Sequence, residues 1–231
     1  VLENKDGIIK IKINHNYLIS HDWEIVFKDE TFKKLVVKNK DFYNQKVSKH
    51  GYSHLSLNWG SQKTQFTRFE ILSQIGNLEN KNILDFGCGT GRYLEIQKNY
   101  KKVYLVDISK HNLLIASKNA DKLKIDHSLI KKSLFGINMN IDIFFSVGVF
   151  GQSYPFDEKV VKKIYSLLNK NGTGLFTVKL TDQFSHEPLS LNEDKVKDIL
   201  RNFNFLIEIR NFKGVNKINE SFCIVSLFRD Q

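Results

Sequence analysis

Two carboxylates and three glycines carry the spacing that could do chemistry: Asp85, Gly87, Gly89 and Gly91, then Asp107 some twenty residues on. Glycines on alternate positions let a backbone turn sharply and approach a ligand where a Cβ would collide. Free N–H groups at the start of a following helix would face such a ligand. An acidic residue about twenty positions later is placed to accept the two hydroxyls of a ribose. The chemistry this predicts is the holding of a nucleoside. The elements required to position these residues are legible around them. Ile83-Leu84 reads as a buried strand ahead of the turn, and Val103-Tyr104-Leu105-Val106 as the next strand, closed by Asp107. A crossover helix is expected from Arg92 through Tyr93-Leu94-Glu95-Ile96.

The dinucleotide spacing G-x-G-x-x-G is absent. Asp85-Phe86-Gly87-Cys88-Gly89-Thr90-Gly91 reads D-x-G-x-G-x-G instead, and resembles the first motif of class I S-adenosylmethionine (SAM)-dependent methyltransferases. The resemblance spans about residues 60–231. It implies an α/β fold with a doubly wound, mainly parallel seven-stranded sheet. It also implies SAM as cofactor, leaving as S-adenosylhomocysteine, with Asp85, Gly87, Cys88, Gly89, Gly91, Asp107 and Ile108 at the cofactor. Residues preceding the first strand often approach the methionine end in this family, which points to Trp59 and Arg68. The adenine region falls on Ser133-Leu134, where the acidic or amide residue common in the family is missing, so backbone or apolar contacts are expected there. Val147-Gly148, after the fourth strand, completes the expected cofactor set.

Residues 1–58 read differently and are expected to form an N-terminal extension or cap on a SAM-binding domain at 59–231. Ile8–Ile13 partly alternates and suggests a strand, Trp23–Phe27 a second, and Thr31–Lys49 gives no clear period. Phe66, Phe69, Ile71 (or Leu72) and Ile75 suit a helix ending near Gly76. Further on, the pattern predicts a helix at Lys110–Lys122, a weak strand at Leu129–Leu134 and a strand at Ile141–Val147. A helix at Asp157–Leu168 with Asp157 as N-cap follows, then a strand at Gly174–Leu180 and a helix at Glu193–Phe203. Phe205–Asn211 and Phe222–Phe228 close the sheet as a hairpin. Strands alternating with helices support parallel pairing with right-handed crossovers.

Methyl transfer needs alignment more than it needs a base, so acceptor residues are weakly constrained. The catalytic candidates are His186, after the fifth strand, and Tyr154, in the loop after the fourth; His50, His54, His127 and Gln152 are weaker ones. The one H-x-x-x-H spacing, His50 and His54, lacks the Glu of an H-E-x-x-H zinc motif, and no metal is expected. The sequence Ser146-Val147-Gly148-Val149 lacks the Asp/Asn-Pro-Pro-Tyr of exocyclic-amine base methyltransferases, which argues against DNA methylation of that kind.

The net charge of +10 suits an anionic small acceptor, sugar-linked or phosphorylated. Its lysines are scattered rather than run together, which makes a nucleic-acid partner the less favoured reading. RNA or protein as acceptor, or a SAM-binding non-catalytic partner subunit, remain the alternatives. Two cysteines and no long apolar run predict a cytoplasmic protein without a signal peptide, disulfide framework or membrane span. Oligomeric state leaves no trace in the sequence.

Overall fold

Ile83 and Leu84 point to opposite faces of a sheet, and both are fully buried. That arrangement requires helices on each side, and the remaining strands repeat it. The computed structural model describes residues 2–5, 8–11, 30–57, 59, 61–75, 77–96, 99–181, 189, 191–213 and 219–230. The expected strand at Trp23–Phe27 lies outside them.

Seven strands form the main sheet: β3 (Asn82–Phe86), β4 (Lys102–Val106), β5 (His127–Ile130), β6 (Ile141–Phe150), β7 (Leu168–Lys179), β8 (Asn204–Lys213) and β9 (Asn219–Phe228). Their spatial order is β5-β4-β3-β6-β7-β9-β8. The first five are parallel, and β9 runs antiparallel to both β7 and β8. A separate antiparallel pair joins β1 (Leu2–Lys5) to β2 (Ile8–Ile11).

Among the described residues five helices accompany the strands: α1 (Glu30–His50), α2 (Gln62–Ile75), α3 (Lys110–Lys122), α4 (Glu158–Leu167) and α5 (Glu193–Leu200). Val160, Val161 and Ile164 of α4 and Val196 and Leu200 of α5 pack on the face made by Leu84, Phe86, Phe144, Phe176 and Val225. Phe69 and Leu72 of α2 pack with Ile83, Phe145 and Leu175 on the opposite face. There α3 also covers Val103 and Leu105 with Leu113, Ala116 and Ala120. Burial of this apolar surface stabilises the sheet from both sides, at about 25 cal/mol per Å². The α/β doubly wound architecture is therefore as the sequence predicts. Its strand order reverses between β3 and β6, where the crevice of an open α/β sheet forms.

Several boundaries move. Thr31–Lys49, unreadable in sequence, lies within the long helix α1. The expected crossover helix after the glycine turn is only a 3-10 turn, Arg92–Glu95. The third strand lies earlier than predicted, at His127–Ile130, and Leu134–Gly136 is a 3-10 turn. β6 continues to Phe150, and α5 stops at Leu200. β7 begins directly after α4, and its Asn169, Lys170, Asn171 and Gly172 bulge out opposite Asp142. That bulge is pinned where Asn169 Nδ2 donates to Asp142 Oδ1 at 2.7 Å. Arg229, just past β9, donates to the carbonyls of Tyr165, Ser166 and Leu168, tying the α4–β7 junction to the last strand. Asp157 is the α4 N-cap as predicted, accepting from Val160 N at 2.9 Å. Among the described residues, no helix is long and apolar enough to cross a membrane.

Candidate cofactor site

The site is built at the carboxyl ends of β3 and β4. Gly87, Gly89 and Gly91 all adopt the left-handed backbone region, with φ of 75°, 55° and 73°. Gly87 N and Cys88 N both donate to Val106 O, at 2.8 and 3.0 Å, which fastens the turn to the end of β4. A Cβ at Gly87 would run into Val149, one at Gly89 into Leu57, and one at Gly91 into the backbone of Ala116. The three positions therefore need glycine for space as well as for conformation.

Asp107 organises what surrounds the turn. Its Oδ2 accepts from Gly89 N at 2.9 Å, and its Oδ1 accepts from Ser109 N at 2.7 Å and from Asn112 Nδ2 at 3.2 Å. Ser109 in turn caps α3, accepting from Asn112 N. Burial pushes the Asp107 carboxyl above its ordinary value, and these donors offset only part of the rise. Asp85 has less help. It is 3% exposed, and its Oδ2 has no hydrogen-bond partner. Burial first, and the nearby Asp107 second, push it up to about 8. Two neighbouring strand-ends thus present a buried, hydrogen-bonded carboxyl, that of Asp107, beside one that holds its proton near neutrality.

Thr90 Oγ1 and Ser133 Oγ are likewise buried without a hydrogen-bond partner. Unsatisfied buried polar atoms cost about 1–3 kcal/mol each, and those of Asp85 and Thr90 at the glycine turn fit a polar ligand. Ile108 is partly buried beside the apolar core, and Leu134 fully so, giving an apolar stretch next to Ser133. Cys88 is buried within the turn, its thiol pushed well above the ordinary value by burial and the two aspartates. It is consequently a packing residue and not a nucleophile.

At the end of β6, Val147 is buried and Gly148 turns with φ 72°. Gly148 N donates to Thr177 Oγ1 at 2.9 Å, and a Cβ there would press on Trp59. Trp59 also lies 4.6 Å from the Arg68 guanidinium. Arg68 itself is 3% exposed and reaches over β9, with its carbon 3.8 Å from the Phe222 ring centre. The structure thus brings Asp85, Gly87, Cys88, Gly89, Gly91, Asp107 and Ile108 into one place. It sets Ser133 and Leu134 at one flank of them and Val147, Gly148 and Trp59 at the other. Arg68 extends away from this group, towards β7 and β9.

The acceptor-side candidates fare differently. Tyr154 is fully buried, edge-on to Phe86 and Phe150, and burial pushes its hydroxyl far up. The structure places it in the aromatic core and not at an open acceptor site. His127 starts β5, at the opposite end of the sheet from the glycine turn. Its ring is held by Ser117 Oγ at 2.9 Å and Ile125 O at 3.0 Å, a structural setting. His50 ends α1, and His54 opens a 3-10 turn where burial and Arg92 lower its pKa. His186 lies outside the described residues. Among the described residues, no group of three or more His, Cys, Asp or Glu could hold a metal ion.

Sequence reasoning missed the contribution of α1 and the turn after it. Asn44 Oδ1 accepts from Ser109 Oγ at 2.6 Å, and Tyr43 hydroxyl lies 3.4 Å from Ser153 Oγ. Tyr52 hydroxyl donates to Glu95 and accepts from Asn119 Nδ2 at 2.9 Å. These contacts lay residues 43–57 across the carboxyl ends of β3, β4 and β6, with Leu57 against Gly89. Their polar residues sit in a basic, aperiodic stretch, and that gave no signal to find them by.

Residues 77–208 match the model of a family described as a methyltransferase domain. A putative methyltransferase of Geobacillus sp. (strain WCH70) is 31% identical over 122 residues, covering 50% of this chain and 49% of that protein. The chain spans about half the length of the curated relatives it matches. Among solved structures, magnesium protoporphyrin IX methyltransferase from Synechocystis PCC 6803 with bound SAM aligns with a TM-score of 0.61 at 17% identity, covering 85% of this chain and 97% of that one. Phosphoethanolamine N-methyltransferase 2 of Haemonchus contortus, in complex with SAM, aligns with a TM-score of 0.61 at 14% identity over 84% of this chain and 57% of that one. At such identities the structural likeness is one of fold.

Proposed function

From the premise that the chain belongs to the methyltransferase domain family, we propose that it transfers the methyl group of SAM to an oxygen or nitrogen of a small metabolite. The observation that carries this reading is the Asp107–Gly89 hydrogen bond, which binds the nucleoside acid and the glycine turn into one rigid unit. Asp107 would accept a ribose hydroxyl through its remaining lone pair. Ile108 and Leu134 would flank the adenine, with Ser133 Oγ as a polar contact. Asp85, whose Oδ2 is unsatisfied, would meet a cationic group of the cofactor's amino-acid end and lose its proton in doing so.

When bound, SAM supplies a methyl group on a positively charged sulfur, already electrophilic. The protein's task is then to hold an acceptor lone pair in line with that methyl, an effect worth up to about 7–11 kcal/mol. The bond from acceptor to carbon forms as the carbon–sulfur bond breaks, and a proton carried by the acceptor leaves to a base or to water. Support for a small acceptor comes from α1 and the 51–57 segment lying across the site, which narrows access to it. Support for an anionic one comes from the +10 charge. The cytoplasm is the compartment this reading implies.

The test supplies SAM carrying a labelled methyl group together with a small-metabolite extract, total RNA or total protein. Label in the small-molecule fraction is the expected result. Label confined to RNA or protein would move the acceptor to a macromolecule. SAM binding without label in any fraction would favour a non-catalytic partner subunit.

A further inference from the structure

Beyond the cofactor site, where β7 ends and the antiparallel β9 begins, two cations converge on one carboxylate. Lys179, the last residue of β7, places Nζ 3.0 Å from Glu220 Oε1. Arg68, from α2, places Nη2 3.9 Å from Glu220 Oε2. Arg68 lies between the Trp59 and Phe222 rings, which fix its plane. Its side chain is 4% exposed, whereas those of Lys179 and Glu220 are 25% and 30% exposed.

Three features mark this cluster as more than a surface ion pair. A guanidinium fork is shaped for a bidentate oxyanion at about 2.7–2.9 Å, and Glu220 stands well outside that distance. Burial lowers the Arg68 pKa to about 10 even with Glu220 nearby, so this cation is held where solvent does little for it. The cluster also borders the cofactor site without entering it. Trp59 touches both Arg68 and the Gly148 position at the end of β6. β7 and β9 lie on the far side of β6 from the glycine turn on β3. At about 4.8 Å per strand, that sets the cluster roughly 10–14 Å from the nucleoside half of the site.

We propose that Arg68 and Lys179 bind an oxyanion of the methyl acceptor, a phosphate or carboxylate, and that Glu220 is the internal anion which this group displaces. The inference rests on the methyltransferase reading for the word acceptor. The oxyanion site itself stands on the cluster's own geometry. Displaced from Arg68 and Lys179, Glu220 swings to solvent, to which it is already partly open.

The test titrates the full chain, saturated with S-adenosylhomocysteine at fixed ionic strength, with phenyl phosphate, benzoate and neutral benzyl alcohol by calorimetry. Glu220→Gln removes the competing charge and should tighten one or both oxyanions by about tenfold, while Lys179→Met should weaken them by about tenfold. Benzyl alcohol should be indifferent to both. Glu220 and Lys179 are exposed enough for these variants to fold, so the outcome does not hang on the buried arginine. Unchanged oxyanion affinity in Glu220→Gln would overturn the proposal. So would an Arg68→Lys variant that loses SAM affinity yet binds both oxyanions as before, since Arg68 would then serve the cofactor. Oxyanion binding that responds to Glu220 in a chain unable to bind SAM would instead sink the methyltransferase reading and leave the site standing.

Discussion

Asp85 holds a proton that its unfolded counterpart would release, and this sets a pH dependence that can be measured. Its folded pKa is raised to about 8 from an ordinary 3.8. The stability tied to that proton is present in full below about pH 4 and is lost as pH rises through about 8. Asp85→Asn removes the dependence. In urea melts without cofactor, its stability advantage over the parent should widen by at most about 1.4 kcal/mol per pH unit between pH 5 and 8. The same substitution should weaken SAM binding, and it should flatten the rise in affinity that the parent shows up to about pH 8. A parent whose affinity is level with pH would separate Asp85 from the cofactor's positive charge. Asp107 is also pushed up by burial, but its donors offset part of the rise. Asp107→Ala is expected to reduce SAM affinity at least about tenfold by calorimetry. Part of that loss would come from freeing the Gly89, Ser109 and Asn112 groups it now holds.

The segment at 43–57 makes its own prediction for the kinetics of ligand release. Tyr52 is its outermost tie, joined to Glu95 and Asn119. Tyr52→Phe should raise the off-rate of S-adenosylhomocysteine severalfold in stopped flow with little change in fold by circular dichroism. An unchanged off-rate would mean that the segment does not retain the ligand. This segment also shows where the sequence ran out. The strands, the glycine turn, Asp107 and the α4 cap were legible because each is dictated locally, by alternation, by positive φ or by a cap three residues from its partner. Helix α1 was not, because polar residues dominate it and its ties at Tyr43 and Asn44 reach across the chain to Ser153 and Ser109. Tyr154 was read as a loop residue because nothing local to Gly151–Tyr154 reveals that it folds back beneath Phe86 and Phe150. The crossover after the glycine turn was overread as a full helix, since Tyr93 and Leu94 are apolar for burial and not for helical period.

For the molecule as a whole, the +10 charge acts at long range and is screened by salt. With a small oxyanion as acceptor, raising salt from about 50 to 200 mM should lower activity by less than about tenfold. A macromolecular acceptor held through six to ten phosphates would lose roughly 10³–10⁵ in affinity over the same range. The salt slope of kcat/KM therefore separates the two acceptor classes without the acceptor being known. The sheet order carries a different consequence, one of timing. β7 sits between β6 and β9, and β9, the last strand of the sheet, is the one that joins β8 to it. Arg229, farther on still, caps carbonyls at the end of α4. As the chain leaves the ribosome, β8 therefore emerges with no strand to pair with, and the end of α4 stays untied, until synthesis has passed β9. The cofactor half of the domain can assemble early, while the half bearing Lys179 and Glu220 closes in a single late event, with β7 left as an open edge in the meantime.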